Sequence, residues 1–267
     1  MKENSRHEIS ALIIRQWLRE WDQVRYSDQD WRTKPEPFFY VFSLPANLLW
    51  KISDIYRRRA DRPRSEDPAH QRKHMPERSV EIGRFIQGGF PWSELSARQK
   101  QSGEYRDLRM PGWLPTAIIA NILPVGAIRN GKAIANKDAI SIRHIDGNLA
   151  ALQLPEGFEN DAWKPEVAPM EIIDGQHRLL AFEQLREIDG AFELPVVAFH
   201  GLDTTWQAYL FYTINIKPKR INASLAFDLY PILRTQDWLE QAPGKAAVYS
   251  ETRAQELTEL LWSHPQQ

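Results

Sequence analysis

The chain has 267 residues, 42% hydrophobic and 26% charged, enough to bury one large domain or a core with appendages. It contains no cysteine, which excludes disulfides, thiolate metal sites and cysteine nucleophiles. The formal charge of −1 gives no global pull toward nucleic acid. No apolar run approaches the roughly 18 residues of a spanning helix and no secretory segment opens the chain, so a cytoplasmic protein without membrane contact is expected.

In chain order, "EISALIIRQWLREWDQV" (8 to 24) carries apolar residues at helical spacing and predicts an N-terminal amphipathic helix. "FFYVFSL" (38 to 44) is aromatic and β-branched, hence a strand, and Pro45 opens a helix, "ANLLWKISDIYRRR". Arg57, Arg58 and Arg59 suit the C-terminal end of that helix dipole; the polar, proline-rich run after them is either a solvated loop or one that touches phosphates. "SVEIGRFIQGG" (79 to 89) reads as a helix stopped by Gly88 and Gly89, followed by a polar insert at 90–113.

"LPTAIIANIL" (114 to 123) is a continuous apolar strand of the kind buried on both faces. Asn130-Gly131 and Asp146-Gly147 lie between alternating segments and predict an antiparallel ribbon, because tight hairpins need positive φ. A proline-bearing loop at 155–169 leads into strand "MEIID", helix "QHRLLAFEQLREI", strand "FELPVVAFHGL" and helix "TTWQAYLFYTIN", the last capped by Asp203. That alternation implies a mixed α/β layer. "NASLAFDLYPIL" and "ETRAQELTELLW" add later helices, and the chain is expected to be cut from a longer one. Ten tryptophans suit either a thick core or stacking and partner surfaces.

Two constellations carry chemistry. In "IIDGQHRLL", Gly175 lets the backbone turn, and Gln176, His177 and Arg178 occupy the first turn of a helix, where outward N–H groups and the dipole favour an anion such as phosphate. Arg178 offers a planar bidentate contact and His177 a hydrogen bond or a proton, so both are expected to point outward. Asp174 either caps the helix or helps hold a metal-bound nucleotide. The second constellation is "TINIKPKRINASLAF" (213 to 227), where Asn215, Lys217, Lys219 and Arg220 form either a solvated basic loop or a closure over the same ligand.

"DGQHRL" at 174 to 179, with the apolar strand before it and "INIKPKRINASL" after it, resembles the DGQHR-domain family, relatives of the ParB and sulfiredoxin superfamily. The resemblance spans roughly 38 to 229. It implies an α+β (mixed α/β) fold with a ParB/sulfiredoxin-like core, a mixed sheet, a β-ribbon insertion and added N- and C-terminal helices. The expected layout is a helical extension at 1–36, the DGQHR domain at 37–230 with its insert at 90–113, and a C-terminal helical segment at 231–267. Family members such as DndB and DpdB occur in DNA phosphorothioation and in 7-deazaguanine insertion, within phage-defence gene clusters.

The resemblance further implies that Asp174, Gly175, Gln176, His177 and Arg178 bind the phosphates of ATP, or another nucleoside triphosphate, with Mg²⁺, and that no separate metal site exists. His177, Arg178 and Glu81 become the catalytic candidates of an ATPase, although a solvated helix surface is the more ordinary place for Glu81. Lys217, Lys219, Arg220 and Asn215 would contact phosphate or DNA. Partners would be DNA, a transglycosylase-like or sulfur-transfer enzyme, and a second copy of the chain. Sulfiredoxin chemistry is excluded, since its loop cysteine has no counterpart here. The alternative is a DndB-like DNA-binding transcriptional regulator without catalysis.

Overall fold

The computed structural model of the chain describes residues 7–30, 32–54, 76–160, 162–183, 185 and 191–215, with 254, 257, 258 and 260–262 near the C-terminus. The predicted N-terminal helix is a strand, β1 (Glu8–Arg15), followed by a 3-10 turn at Arg19–Gln23. "EISALIIR" satisfies a period of two as well as the helical one, and Ala11 and Ile13 are buried while Leu12 is half exposed. β-branched Ile9, Ile13 and Ile14 favour the extended form, and strands on both sides satisfy its backbone. The described part of the expected helical extension at 1–36 therefore contributes a strand inside the main sheet.

That sheet is mixed and eight-stranded. Its order is β3 (Ser53–Asp54), β9 (Met170–Asp174), β4 (Ile118–Ile122), β10 (Glu193–His200), β2 (Phe38–Pro45), β1, β8 (Leu149–Gln153) and β7 (Ser141–Asp146). β3 and β9 are parallel, as are β4 and β10; the other neighbours are antiparallel. The strands expected at 38–44, 114–123, 170–174 and 192–202 are all present; β4 and β10 are shorter than the runs that announced them. The chain is a mixed α+β protein.

Alternation places Tyr40, Phe42 and Leu44 beside Ile118, Ala120, Ile122, Leu194, Val196 and Ala198 in one core. Two short helices close it, α1 (Ala46–Ile52) with Leu49 and Ile52, and α4 (Gln176–Ala181) with Leu179 and Leu180. α1 stops at Ile52, before the expected arginines, which lie at 57–59 outside the described residues. The hairpin at Asn130-Gly131 is a two-stranded sheet of its own, β5 (Ile128–Arg129) with β6 (Lys132–Ala133), and both loop residues take positive φ, 51° and 78°. The second hairpin, β7 with β8, turns through Gly147 and forms an edge of the main sheet.

Helix α5 (Thr204–Asn215) is tied to β9 through a buried polar group. Glu171 is 3% exposed. It accepts from Arg129 Nε and, at Oε2, from Arg129 Nη2 (2.8 Å) and Gln207 Nε2 (3.1 Å). Gln207 also donates to the Leu202 carbonyl, which Asn121 holds with a reciprocal pair of bonds. A buried carboxylate is tolerable only when paired and hydrogen-bonded in this way. Asp203, expected to cap α5, instead accepts from the Thr33 amide at 2.6 Å and from its hydroxyl.

Two compact units divide the chain, Met1–Ser79 with Leu114–Lys217 and Val80–Trp113 with Pro218–Gln267; all the elements above belong to the first. α2 (Pro76–Gly88) crosses the division. In the second unit the 90–113 insert is ordered by close backbone packing: a Cβ on Gly112 would stand 1.9 Å from the Phe85 carbonyl oxygen. Within it, α3 (Ala97–Ser102) starts from a capping box of Ser96 and Gln99 and ends at Gly103, φ 78°. Tyr105 and Leu108 are buried below it. The C-terminal residues described, Ala254, Leu257, Thr258 and Leu260 to Trp262, are helical, as expected for "ETRAQELTELLW". α4 ends at Ala181, well short of the end expected at Asp189-Gly190, and the helix expected at 222–233 lies outside the described residues.

Candidate functional site

The turn after β9 is built around Gly175. Its φ of 92° lies in the left-handed region, and a Cβ there would come within 2.7 Å of Ile118 Cδ1 and 2.9 Å of Arg178 Nη2. Glycine alone lets the chain reverse tightly enough to start α4 at Gln176. The amides of Arg178 and Leu179 both donate to the Gly175 carbonyl, at 3.0 and 3.1 Å. The Gln176 amide, one residue into the helix, has no intrahelical acceptor by geometry.

Arg178 does not point outward. Its side chain, 17% exposed, folds back over the turn. Nη2 donates to Asp174 Oδ2 at 2.9 Å, and Nη1 donates to the Thr116 carbonyl at 2.6 Å and to the Thr116 hydroxyl. Burial lowers the pKa of the guanidinium, Asp174 opposes that shift, and the charge of Arg78 adds to it. Arg78, exposed on α2, thus lies within electrostatic reach of Arg178. Arg178 is paired with Asp174, and Arg78 adds positive charge to their surroundings.

Asp174 neither caps α4 nor stands open to a metal. One oxygen is held by Arg178, and the other accepts from Asn215 Nδ2 at 2.9 Å. No side chain caps the helix. Asn215 is the last residue of α5 and also accepts a place in its own helix by donating to the Phe211 carbonyl. The hydrogen bond to Asp174 therefore brings Asn215, from the second constellation, to the DGQHR turn; Lys217, Lys219 and Arg220 follow it in the sequence. Those three residues lie outside the described residues.

Gln176 is 7% exposed, and its Oε1 is buried without a hydrogen-bond partner among the described residues. His177 is half-buried. Glu81 is exposed on α2 and belongs to the second unit. Among the described residues no group of three or more His, Asp or Glu side chains could hold a metal ion, and no helix is long and apolar enough to cross a membrane. Thr116 escaped the sequence reading, and Arg78 was not among its site candidates. Nothing local marks Thr116, 62 positions from its partner, whereas Arg78 was visible as the basic residue before "SVEIGRFI".

No family model matches the chain, and no curated protein matches it. Among solved structures, it is similar to the C-terminally truncated chromosome-partitioning protein ParB from Caulobacter crescentus complexed with CTP-gamma-S, at 12% identity over 84% of each chain. The TM-score is 0.35, too low for the likeness to decide a fold or a ligand. The resemblance to the DGQHR-domain family accordingly rests on the motif and its surroundings.

Proposed function

We propose that this chain is a nucleotide-binding protein of the ParB-like superfamily that holds phosphates at the turn of Asp174 to Arg178, with ATP and Mg²⁺ as the first candidate ligand. Its setting would be a DNA-modification or defence system, either 7-deazaguanine insertion or phosphorothioation, working with DNA and a modifying enzyme. One observation supports this most: the Asn215 to Asp174 hydrogen bond draws the glycine turn and the start of the basic stretch to one place. Phosphate would meet the first-turn amides of α4 and the charge of Arg178 and Arg78; the sequence offers Lys217, Lys219 and Arg220 as further candidates.

Asp174 then acts as a positioning residue, with both oxygens engaged, and is no general base. Hydrolysis, if it follows binding, would rest on positioning and charge stabilisation, with the magnesium ion arriving on its nucleotide and Glu81 as the remaining carboxylate from the family resemblance. Titration with ATP, CTP and GTP in Mg²⁺, followed by phosphate release with and without DNA, tests both parts. Saturable binding supports the proposal, and release that Glu81→Gln removes supports the ATPase form. Salt-sensitive DNA binding with no response to any nucleotide would instead favour a DNA-binding regulator.

A further inference from the structure

At the other end of the sheet lies a cavity of about 420 Å³, in the range of small-molecule sites. The position follows from topology. β9 runs antiparallel to β4, and β4 runs parallel to β10, so the C-terminal end of β10, which opens on the cavity at Phe199, is opposite the end at which β9 reaches Asp174. α5 connects the two ends, with Trp206 and Tyr209 at the cavity and Asn215 at the turn, about 9 Å beyond Tyr209 along the helix axis. The cavity shares no lining residue with the turn of Asp174 to Arg178.

Its walls include Trp17, Trp21, Phe39, Phe199, Trp206 and Tyr209. The ring pairs meet edge-on or tilted: Trp17 with Trp21 at 83°, Phe39 with Phe199 at 48°, Trp206 with Tyr209 at 87°. None of these pairs covers a ring face with a parallel neighbour. Hydrogen bonds fix the rings beforehand, from Trp17 Nε1 to Asp22 (3.1 Å) and from Trp206 Nε1 to the Thr33 carbonyl (2.8 Å). Tyr209 and Trp21 remain 57% and 41% exposed, so the aromatic wall is left open to solvent.

Two charged groups line the same cavity without pairing. The Arg32 guanidinium lies 4.9 Å from the Trp206 ring centroid, and its Nε is buried with no hydrogen-bond partner among the described residues. Glu36 is exposed and forms no ion pair with a described residue. A purely apolar guest would leave both charged groups without a partner in the cavity, and a guest of one net charge would meet a like charge as well as an opposite one. We infer that the cavity binds a neutral, planar aromatic heterocycle with donor and acceptor edges, of the nucleobase or nucleoside class. Its faces would lie against the rings, its acceptor edge on Arg32 and its donor edge on Glu36.

Calorimetric titration of the full chain with guanosine, adenosine, cytidine and thymidine tests this, because none of them carries a phosphate for the turn to hold. Glu36→Gln and Tyr209→Ala change exposed side chains and should leave the fold intact. The expected result is saturable binding of at least one nucleoside, weakened roughly tenfold by either substitution and unchanged by Arg78→Ala. Absence of binding by all four, equal binding by both cavity variants, or equally tight binding of indole, which lacks the acceptor edge, would overturn it. So would binding confined to a tryptophan-bearing peptide, which would make the cavity a protein-docking pocket.

Discussion

The two ends of the sheet handle charge in opposite ways. At the DGQHR turn, Arg178, Asp174, Asn215 and Thr116 are spent on one another, so the motif's most conspicuous side chain serves to fix the backbone. At the aromatic end, Arg32 and Glu36 share a cavity and leave each other alone, while the ring N–H groups of Trp17 and Trp206 are satisfied by the surrounding chain. A cluster that is internally satisfied builds a rigid cradle from backbone groups. A cavity whose two charged side chains stay unpaired is set for a guest.

Breaking the tie between the ends should have the largest effect. Glu171→Ala leaves the mostly buried Arg129 and the Gln207 amide without their acceptor and should destabilise the first unit by about 3 kcal/mol. Urea unfolding would measure this, and a loss below about 1 kcal/mol would mean that the pair is dispensable. Gly175→Ala acts at the turn alone. Its left-handed φ and the contact with Ile118 predict a loss of about 1–2 kcal/mol together with loss of triphosphate binding, while nucleoside binding at the aromatic end survives. Equal loss at both ends would merge the two sites into one.

Asp174→Asn is milder, since the amide keeps its shape and one acceptor. It should cost about 1 kcal/mol and loosen Asn215, seen as faster amide exchange at the C-terminal end of α5. The smallest effect is one of pH. Burial holds the His200 pKa below its ordinary value of 6.5, against the opposing charge of Glu36. The folded pKa lies below the unfolded one, so the His200 contribution is complete above pH 6.5 and is lost as pH falls toward the folded value. Thermal melts from pH 7 to 5 should show an acid-side decline that His200→Gln reduces.

Much of the sheet was legible in the sequence. Continuous apolar runs announced β4 and β9, aromatic and β-branched residues announced β2 and β10, and the Asn130-Gly131 and Asp146-Gly147 pairs announced the hairpins. β1 was not legible, because Ile9, Ala11, Leu12 and Ile13 fit periods of 2 and 3.6 equally and the partners that decide between them are Val41 and Leu149, far along the chain. The Gly175 turn was foreseen from the residues, and chain order offered closure of the second motif over it as one of two readings, of which the described residues show Asn215 at Asp174. The inward fold of Arg178 was not, since it depends on Thr116, and neither was the aromatic cavity, whose walls come from three separate stretches of chain.

The central claim is that phosphate is held at the turn by charge that includes Arg78. The most direct measurement is calorimetric titration of wild type and Arg78→Ala with ATP, CTP and GTP in Mg²⁺, alongside urea unfolding of both proteins. Arg78 is exposed, so the account predicts unchanged stability with triphosphate affinity weakened roughly tenfold. Triphosphate binding of equal strength in the two proteins, or no binding in either, would contradict it.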